Sequence, residues 1–358
     1  MKKVIHVVDS LDTGGAQEII YSLSKYLKEY EIIVVSLYED SEHSYVKKIR
    51  PYAKIISLSQ WKYNLIIIVF NLAKIILKNK QEAIFNFHLE VSSILGGIMR
   101  IFIPFKMVVS VHAHPNQYSK WKNWLFYTIT RITDYYIAED KDVVEYLYQY
   151  EVNDKKIKFI PIGSEKITFI KKADKEIKKE FNIPQKDIIL LNVARMVPSK
   201  GQHDLLIMTK ELCEHYPNFP FHLIIVGYGS EHEHLINTVK MYNLEKKVTL
   251  AGKRIDLHNF YSIADWFLMP CYDESMGVVI YEALGYRVPV IAYNSGSIRE
   301  VILDEEMGFL IEKNPKKMAD IIATVSVAEI KNKLTKKDLS YFCVERMVND
   351  YIQIYNSL

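Results

Sequence analysis

The stretch DIILLNVARMVPSKGQHDLL, residues 187–206, decides the fold. Ile188–Val193 is a continuous apolar run, the pattern of a strand buried on both faces. Arg195, Pro198, Lys200 and Gly201 follow, and then apolar positions recur at helical spacing. Two cations between a strand and a helix read either as a solvated loop or as a seat for an anion. In doubly wound sheets ligands bind beyond the carboxyl ends of strands, where helix N-termini offer free amides and a positive dipole end.

The same alternation runs outward in both directions. Upstream, VIHVVD, EIIVVSL, AIFNFH, MVVSVHAH, DYYIAED and IKFIPIG read as strands, with an amphipathic stretch over Ala16–Glu29 and a helix between AIFNFH and MVVSVHAH. A lysine-rich linker, Glu165–Phe181, separates them from a second series: DIILLNVA, FHLIIVGYG, KVTLAGK, WFLMPC and VPVIAY. Strands alternating with helices imply parallel βαβ units. The expectation is two α/β domains, residues 1–165 and 166–343. The tail, residues 344–358, is a helix whose apolar and aromatic positions (Val344, Met347, Val348, Tyr351, Ile354, Tyr355) keep helical spacing.

Composition narrows the function classes. The 358 residues are 49% hydrophobic and 25% charged, with a net charge of +3, too small to argue for nucleic acid. Cys213, Cys271 and Cys343 are odd in number and far apart, which suits a reducing compartment and neither a disulfide framework nor a zinc site. Asp9 interrupts the N-terminal apolar run after Val8, so a buried first strand fits better than a signal peptide. The longest apolar run, Leu65–Leu77, is too short for a membrane span and contains Lys74.

Three further turns carry chemistry. In IIVGYGSEHEHL, Gly227 and Gly229 follow a buried strand, where glycine permits close backbone approach. In PCYDESMGVVIYEALG a loop carries Glu274, Gly277 opens a helix, and Glu282 lies inside that helix. Carboxylates beside an anion seat suit a ligand that also bears hydroxyls. In DSLDTGGAQEII, Gly14 and Gly15 precede a helix. The chain lacks both G-x-G-x-x-G at that turn and G-x-x-x-x-G-K-[ST], which argues against a nicotinamide dehydrogenase and a P-loop NTPase.

Taken in order, these turns resemble retaining glycosyltransferases of family 4, with the GT-B architecture of two facing Rossmann-like domains and a C-terminal helix returning to the first. TGGAQ resembles the family's N-terminal glycine turn, and ARMVPSKG its G-R-x-x-x-x-K-G motif, with Ala194 at the usual glycine. IIVGYG, ESMGVVIYE and GSIREVI match its G-x-G, E-x7-E and G-G-x-x-E-x-I elements. The resemblance implies that Arg195 and Lys200 bind the donor diphosphate and stabilise the leaving group. It sets Glu274 beside the donor sugar and gives Glu282 the nucleotide ribose. Met276, Gly277 and Val278 then present amides to phosphate or sugar. Gly15 approaches the diphosphate from the other domain, Gly227 belongs to the donor turn, and Lys253 and Arg254 lie where the nucleobase pocket forms. His112 matches a histidine near the reacting centre. Two departures stand out: Gln17 where an acid is common, and PIGSE, residues 161–165, in place of P-N-G-[VI]-D.

The histidines and carboxylates lack metal-ligand spacing. Charge on the leaving diphosphate would then be met by Arg195, Lys200 and helix amides, that is, by preorganised electrostatics with neither metal nor cofactor. The resemblance implies a nucleotide-sugar donor, UDP before GDP, and a glycan or polyprenyl-diphosphate-linked acceptor. It points to cell-surface polysaccharide synthesis at the inner face of the bacterial membrane. A GT-B nucleotide-sugar 2-epimerase and a non-catalytic nucleotide-sugar-binding subunit are the alternatives. Residues 61–80 and 118–136 interleave aromatics with lysines and arginine, which suits either helices covering the sheet or peripheral contact with an anionic membrane.

Overall fold

A computed structural model describes the chain except residues 1, 13–14, 39–44, 59–63, 113–119, 168–172, 174 and 273–276, and the side chains of 120–122 and 297. The chain divides into two compact units, Met1–Gly163 with Val344–Leu358, and Ser164–Cys343.

The first unit carries strands β1 (Lys2–Val8), β2 (Tyr30–Ser36), β3 (Lys54–Ser57), β4 (Ala83–His88), β5 (Lys106–Val111), β6 (Tyr135–Ala138) and β7 (Ile157–Phe159). Helices α1 (Gly15–Tyr26), α2 (Val46–Ile49), α3 (Leu65–Asn79), α4 (Glu90–Phe102), α5 (Lys120–Thr130) and α6 (Lys141–Gln149) connect them. All pairings are parallel, in the order β3-β2-β1-β4-β5-β6-β7. The direction of winding reverses between β1 and β4, so the crevice beyond those two strands is the place for a ligand. One sheet face is covered by α3, α4, α5 and α6 over a core that includes Phe85, Phe87, Met107 and Val109.

The second unit carries β8 (Ile188–Val193), β9 (Phe221–Val226), β10 (Val248–Gly252), β11 (Trp266–Met269), β12 (Val290–Tyr293) and β13 (Gly308–Ile311). Its helices are α7 (Ile177–Glu180), α8 (Gln202–His215), α9 (His232–Met241), α10 (Leu257–Ile263), α11 (Val278–Gly285), α12 (Pro315–Thr324) and α13 (Val327–Lys336). The sheet is again parallel, ordered β10-β9-β8-β11-β12-β13, with its reversal between β8 and β11. The 187–206 stretch thus supplies one side of that crevice.

The last helix, α14 (Val344–Asn356), packs within the first unit, beside α1 and on the sheet face opposite α3. Tyr351 and Tyr355 are buried there. Asn86 Nδ2 donates to the Tyr355 hydroxyl at 2.9 Å, and Arg346 donates to the Pro161 carbonyl at 2.7 Å. Two strands escape the sequence pattern, β3 and β13, each four residues long at a sheet edge.

Candidate active site

In the second unit three loops meet at the carboxyl ends of β8, β11 and β12. The Tyr272 amide donates to the Ser199 carbonyl at 2.9 Å, and Ser295 Oγ to the Cys271 carbonyl at 2.7 Å. Gly201 has φ +65°, and a Cβ there would collide with the Pro270 carbonyl. Gly227, at φ +148°, and Gly229 lie against the Ala194 and Met196 carbonyls, where a side chain would collide in the same way. Glycine is thus required for the donor-half loops to reach one another.

Arg195 sits exposed on this base, and its guanidinium has no protein partner among the described residues. Its carbonyl is fixed by Gln202 Nε2 at 2.9 Å. Lys200 ends a 3-10 turn, Pro198–Lys200, directly before α8. Gly277, at φ +53°, is the N-cap of α11 and Val278 its first residue. Glu274 and Met276, together with Gly14, lie outside the described residues.

Glu282, one turn into α11, carries the most informative detail. Lys166 Nζ holds its Oε1 at 3.2 Å, while among the described residues no donor reaches its buried Oε2 in hydrogen-bond geometry. A buried carboxylate oxygen lacking a donor is costly, and a ligand hydroxyl would satisfy it. Tyr261 lies close by: its hydroxyl donates to the Val279 carbonyl at 3.4 Å, and burial, then the Glu282 charge and a weak hydrogen bond toward that carboxylate, raises it well above the ordinary tyrosine value.

Lys253 and Arg254 part company. Lys253 is exposed. Arg254 is a clamp inside the protein: Nε and Nη2 each donate to Asp256 at 2.8 Å, Nη1 pairs with Glu180, and the guanidinium lies 5.1 Å from the Phe260 ring centroid. That arrangement holds Asp256 far below the usual carboxylate range. Of the pair expected at a nucleobase pocket, only Lys253 has a side chain turned to solvent.

In the first unit Gly15 opens α1, and Gln17 Nε2 donates back to the Ser10 carbonyl at 2.8 Å. Asp9, read from sequence only as a break in an apolar run, accepts from the Ser92 amide at 2.7 Å and the Val91 amide at 3.3 Å. It therefore occupies the N-terminus of α4 and ties β1 to it across the crevice. Burial raises its carboxyl to about 6 against the opposing pull of those amides. Leu89, just before α4, is forced to φ 71°, a conformation costly for a branched side chain.

His112 does not stand open to solvent. Its ring is enclosed, with Nε2 2.7 Å from His88 Nδ1 and Nδ1 2.7 Å from Glu139 Oε1. His88 Nε2 in turn lies 2.9 Å from His6 Nδ1. The Glu139 contact is close but bent away from hydrogen-bond geometry. Even so, a lone pair on Nδ1 facing a carboxylate at that distance would repel it, so Nδ1 carries the proton. His112 Nε2 then accepts from His88 Nδ1, and His88 Nε2 accepts from His6 Nδ1. With His112 neutral the three rings share one tautomer, and the relay ends at His6 Nε2, which is buried without a partner among the described residues. Burial, and then the positive charge that His112 bears when protonated, lowers His6 to about 3 and takes His88 well below its ordinary value.

The relay crosses the sheet diagonally. His6 pairs with Asn86 and His88 with Ser110, so His88 and His112 each stand two residues further toward the carboxyl end than the preceding histidine's partner, whereas Val111 pairs with Ala138, which sets Glu139 level with His112. Sequence reasoning found His112 and missed His6, His88 and Glu139. Their only signal is histidine at one face of consecutive strands, and strand order is needed to read it. Among the described residues no three His, Cys, Asp or Glu side chains come together to hold a metal ion.

Comparison with known proteins agrees with these two halves. The profile for Glycosyltransferase Family 4 matches residues 13–164, and that for Glycosyl transferases group 1 matches 173–337. The O-antigen biosynthesis glycosyltransferase WclY of Escherichia coli is 31% identical over 185 residues, 51% of this chain and 50% of that protein. An E. coli UDP-Gal:α-D-GlcNAc-diphosphoundecaprenol α-1,3-galactosyltransferase is 27% identical over 297 residues, 77% of this chain and 73% of that one. Across the first curated relatives, the match spans only about a third to a half of their length. Anabaena HepE, solved in complex with UDP, superposes with a TM-score of 0.83 over 99% of this chain and all of its own, at 17% identity. With both halves matched in order and the GT-B fold in place, the chain belongs to glycosyltransferase family 4.

Proposed function

We propose that this chain is a retaining, metal-independent glycosyltransferase. It transfers a sugar from a nucleoside-diphosphate donor, UDP in preference to GDP, to a glycan or lipid-linked acceptor in bacterial cell-surface polysaccharide synthesis. The observation that carries the reading is the buried Glu282 Oε2, which no donor among the described residues meets in hydrogen-bond geometry, on the helix after β11 at the same sheet reversal as the Arg195–Lys200 turn. A ribose hydroxyl satisfies the carboxylate, and a diphosphate meets the exposed Arg195 guanidinium, with Lys200 on the same turn. The likeness to a UDP-Gal-dependent, diphosphoundecaprenol-directed relative supports the donor and acceptor classes.

In this reading Arg195, Lys200 and the α11 amides beginning at Val278 meet the charge that grows on the leaving diphosphate. Glu282 anchors the ribose in ground and transition states alike. Glu274 faces the sugar, and Lys253 borders the base. His112, with both ring nitrogens turned inward, acts as an anchor for the chain at the end of β5 and not as an open acid or base.

Incubation with a panel of UDP- and GDP-sugars and a polyprenyl-diphosphate-linked acceptor tests this. The expected product is a new glycosidic bond with the donor's α configuration by NMR. A β-linked product refutes retention, and an epimerised nucleotide sugar with no new bond refutes the transferase assignment.

A further inference from the structure

We propose that the outward face of α3, α4 and α5 is the surface by which this chain lies on an anionic lipid bilayer. The argument begins with α3, which is apolar on two opposite sides. Ile68, Leu72 and Ile76 are buried against the sheet. Ile66, Phe70 and Leu77, spaced four and seven apart, form a second, exposed stripe turned away from that core. Ile66 is 83% exposed, and Phe70 and Leu77 are more than half exposed. A helix apolar all round belongs inside a protein or in lipid, and this one covers a sheet on one side only.

The stripe continues on the neighbours. Leu95 and Met99 of α4, and Phe126 and Tyr127 of α5, enter the same core as the buried side of α3, so the outer faces of the three helices lie on one side of the sheet. There α4 exposes Ile98, Ile101 and Phe102, the last at 79%, and α5 exposes Trp124. Sequence pattern directs attention to 61–80 and 118–136; the α4 contribution comes from the fold.

Charge selects the partner. α3 and α5 contain no acidic residue, and α4 has only Glu90, in its first turn. Among the described residues, every other helix of eight or more residues carries a carboxylate. Lys74 and Lys78 flank the apolar stripe, and the Lys74 ammonium lies 4.2 Å from the Phe70 ring centroid, its stem along the apolar surface. The two lysines also line a hollow of about 310 Å³ with Lys3 and Lys54, where Glu31 is the only acid. Apolar side chains flanked by cations fit the boundary between acyl chains and anionic headgroups. None of the described helices is long and apolar enough to cross a membrane, so the contact is a lying one.

The surface stands on its own geometry; only its use, presenting a lipid-linked acceptor, rests on the proposed function. The test is co-sedimentation of the full chain with phosphatidylglycerol/phosphatidylcholine vesicles and with phosphatidylcholine alone. Wild type is expected to pellet with the anionic vesicles and to stay in solution with the neutral ones. The triple variant Ile66→Ser/Phe70→Ser/Phe102→Ser and the pair Lys74→Glu/Lys78→Glu should each partition at least tenfold more weakly, with UDP affinity by calorimetry unchanged. The proposal is overturned by wild type that ignores anionic vesicles or by both variants binding like wild type. It is also overturned if sedimentation velocity shows a wild-type dimer that the triple variant converts to monomer, since a second copy would then cover the face. Vesicle binding needs neither donor nor acceptor, so its failure leaves the transferase assignment to its own assay.

Discussion

Acidification should loosen the first unit through the histidine relay, and the size of the effect follows from the burial of His6. In the unfolded chain His6 takes up a proton at its ordinary value of 6.5; in the fold it does so only at about 3. The stability its neutral ring contributes is whole above pH 6.5 and is lost as pH falls toward 3. Between pH 7 and 5 the unfolded state gains about 2 kcal/mol from this ring alone. His88, lowered by burial and by His112, acts in the same direction. Asp9 opposes them. Its carboxyl, raised from 3.8 to about 6, carries a penalty at neutral pH that is relieved on protonation, returning about 1.3 kcal/mol over the same span. The histidines win, and the first unit should lose stability on acidification. Hydrogen exchange of the β1 and β4 amides, corrected for intrinsic rates, isolates this unit. A global melt would mix in His222 of the second unit, which burial lowers to about 4. His6→Leu should remove about 2 kcal/mol of the pH-dependent loss, and Asp9→Asn should enlarge that loss by about 1 kcal/mol. Wild-type protection that stays flat from pH 7 to 5, or a His6→Leu variant that keeps the full dependence, refutes the neutral relay.

Four other outcomes are expected. Lys200→Ala should lower kcat/KM by about 2–4 kcal/mol of transition-state stabilisation, and near-normal turnover would remove it from the diphosphate seat. Glu282→Gln should mainly weaken UDP affinity by calorimetry, whereas Glu274→Gln should mainly slow turnover at saturating donor; the reverse pattern would exchange their roles. Activity should survive EDTA, and a loss restored by magnesium or manganese would overturn the metal-independent mechanism. Tyr355→Phe takes away the acceptor of Asn86 Nδ2 and should cost the first unit about 1 kcal/mol in exchange protection while UDP affinity stays the same.

What the sequence made legible, and what it hid, divides along physical lines. The central strands of both units are buried on both faces, so each reads as a largely apolar run, broken only by buried polar residues such as His6, Asn86, His88 and Asn192. β3 and β13 are too short to establish a pattern, and their pairing is imposed by neighbours. The donor-half turns were legible because backbone-to-backbone contact demands glycine at Gly201, Gly227 and Gly229, and a glycine is visible in one dimension. The first unit hides its polar network because it is built across strands. Asp9 meets α4 some eighty residues later, and Leu89 shows its strained φ only in three dimensions. The relay makes the point most sharply. His112 alone looks like a free imidazole near a reacting centre, but His88 takes its Nε2, Glu139 lies 2.7 Å from its Nδ1, and His6 stands behind His88. Turning that ring outward would leave His88 Nδ1 buried without its hydrogen-bond partner, a cost of about 1–3 kcal/mol, and would part the close Glu139 contact. A substrate contact through the imidazole would have to repay that cost, which is why the enclosed ring argues for His112 as an anchor.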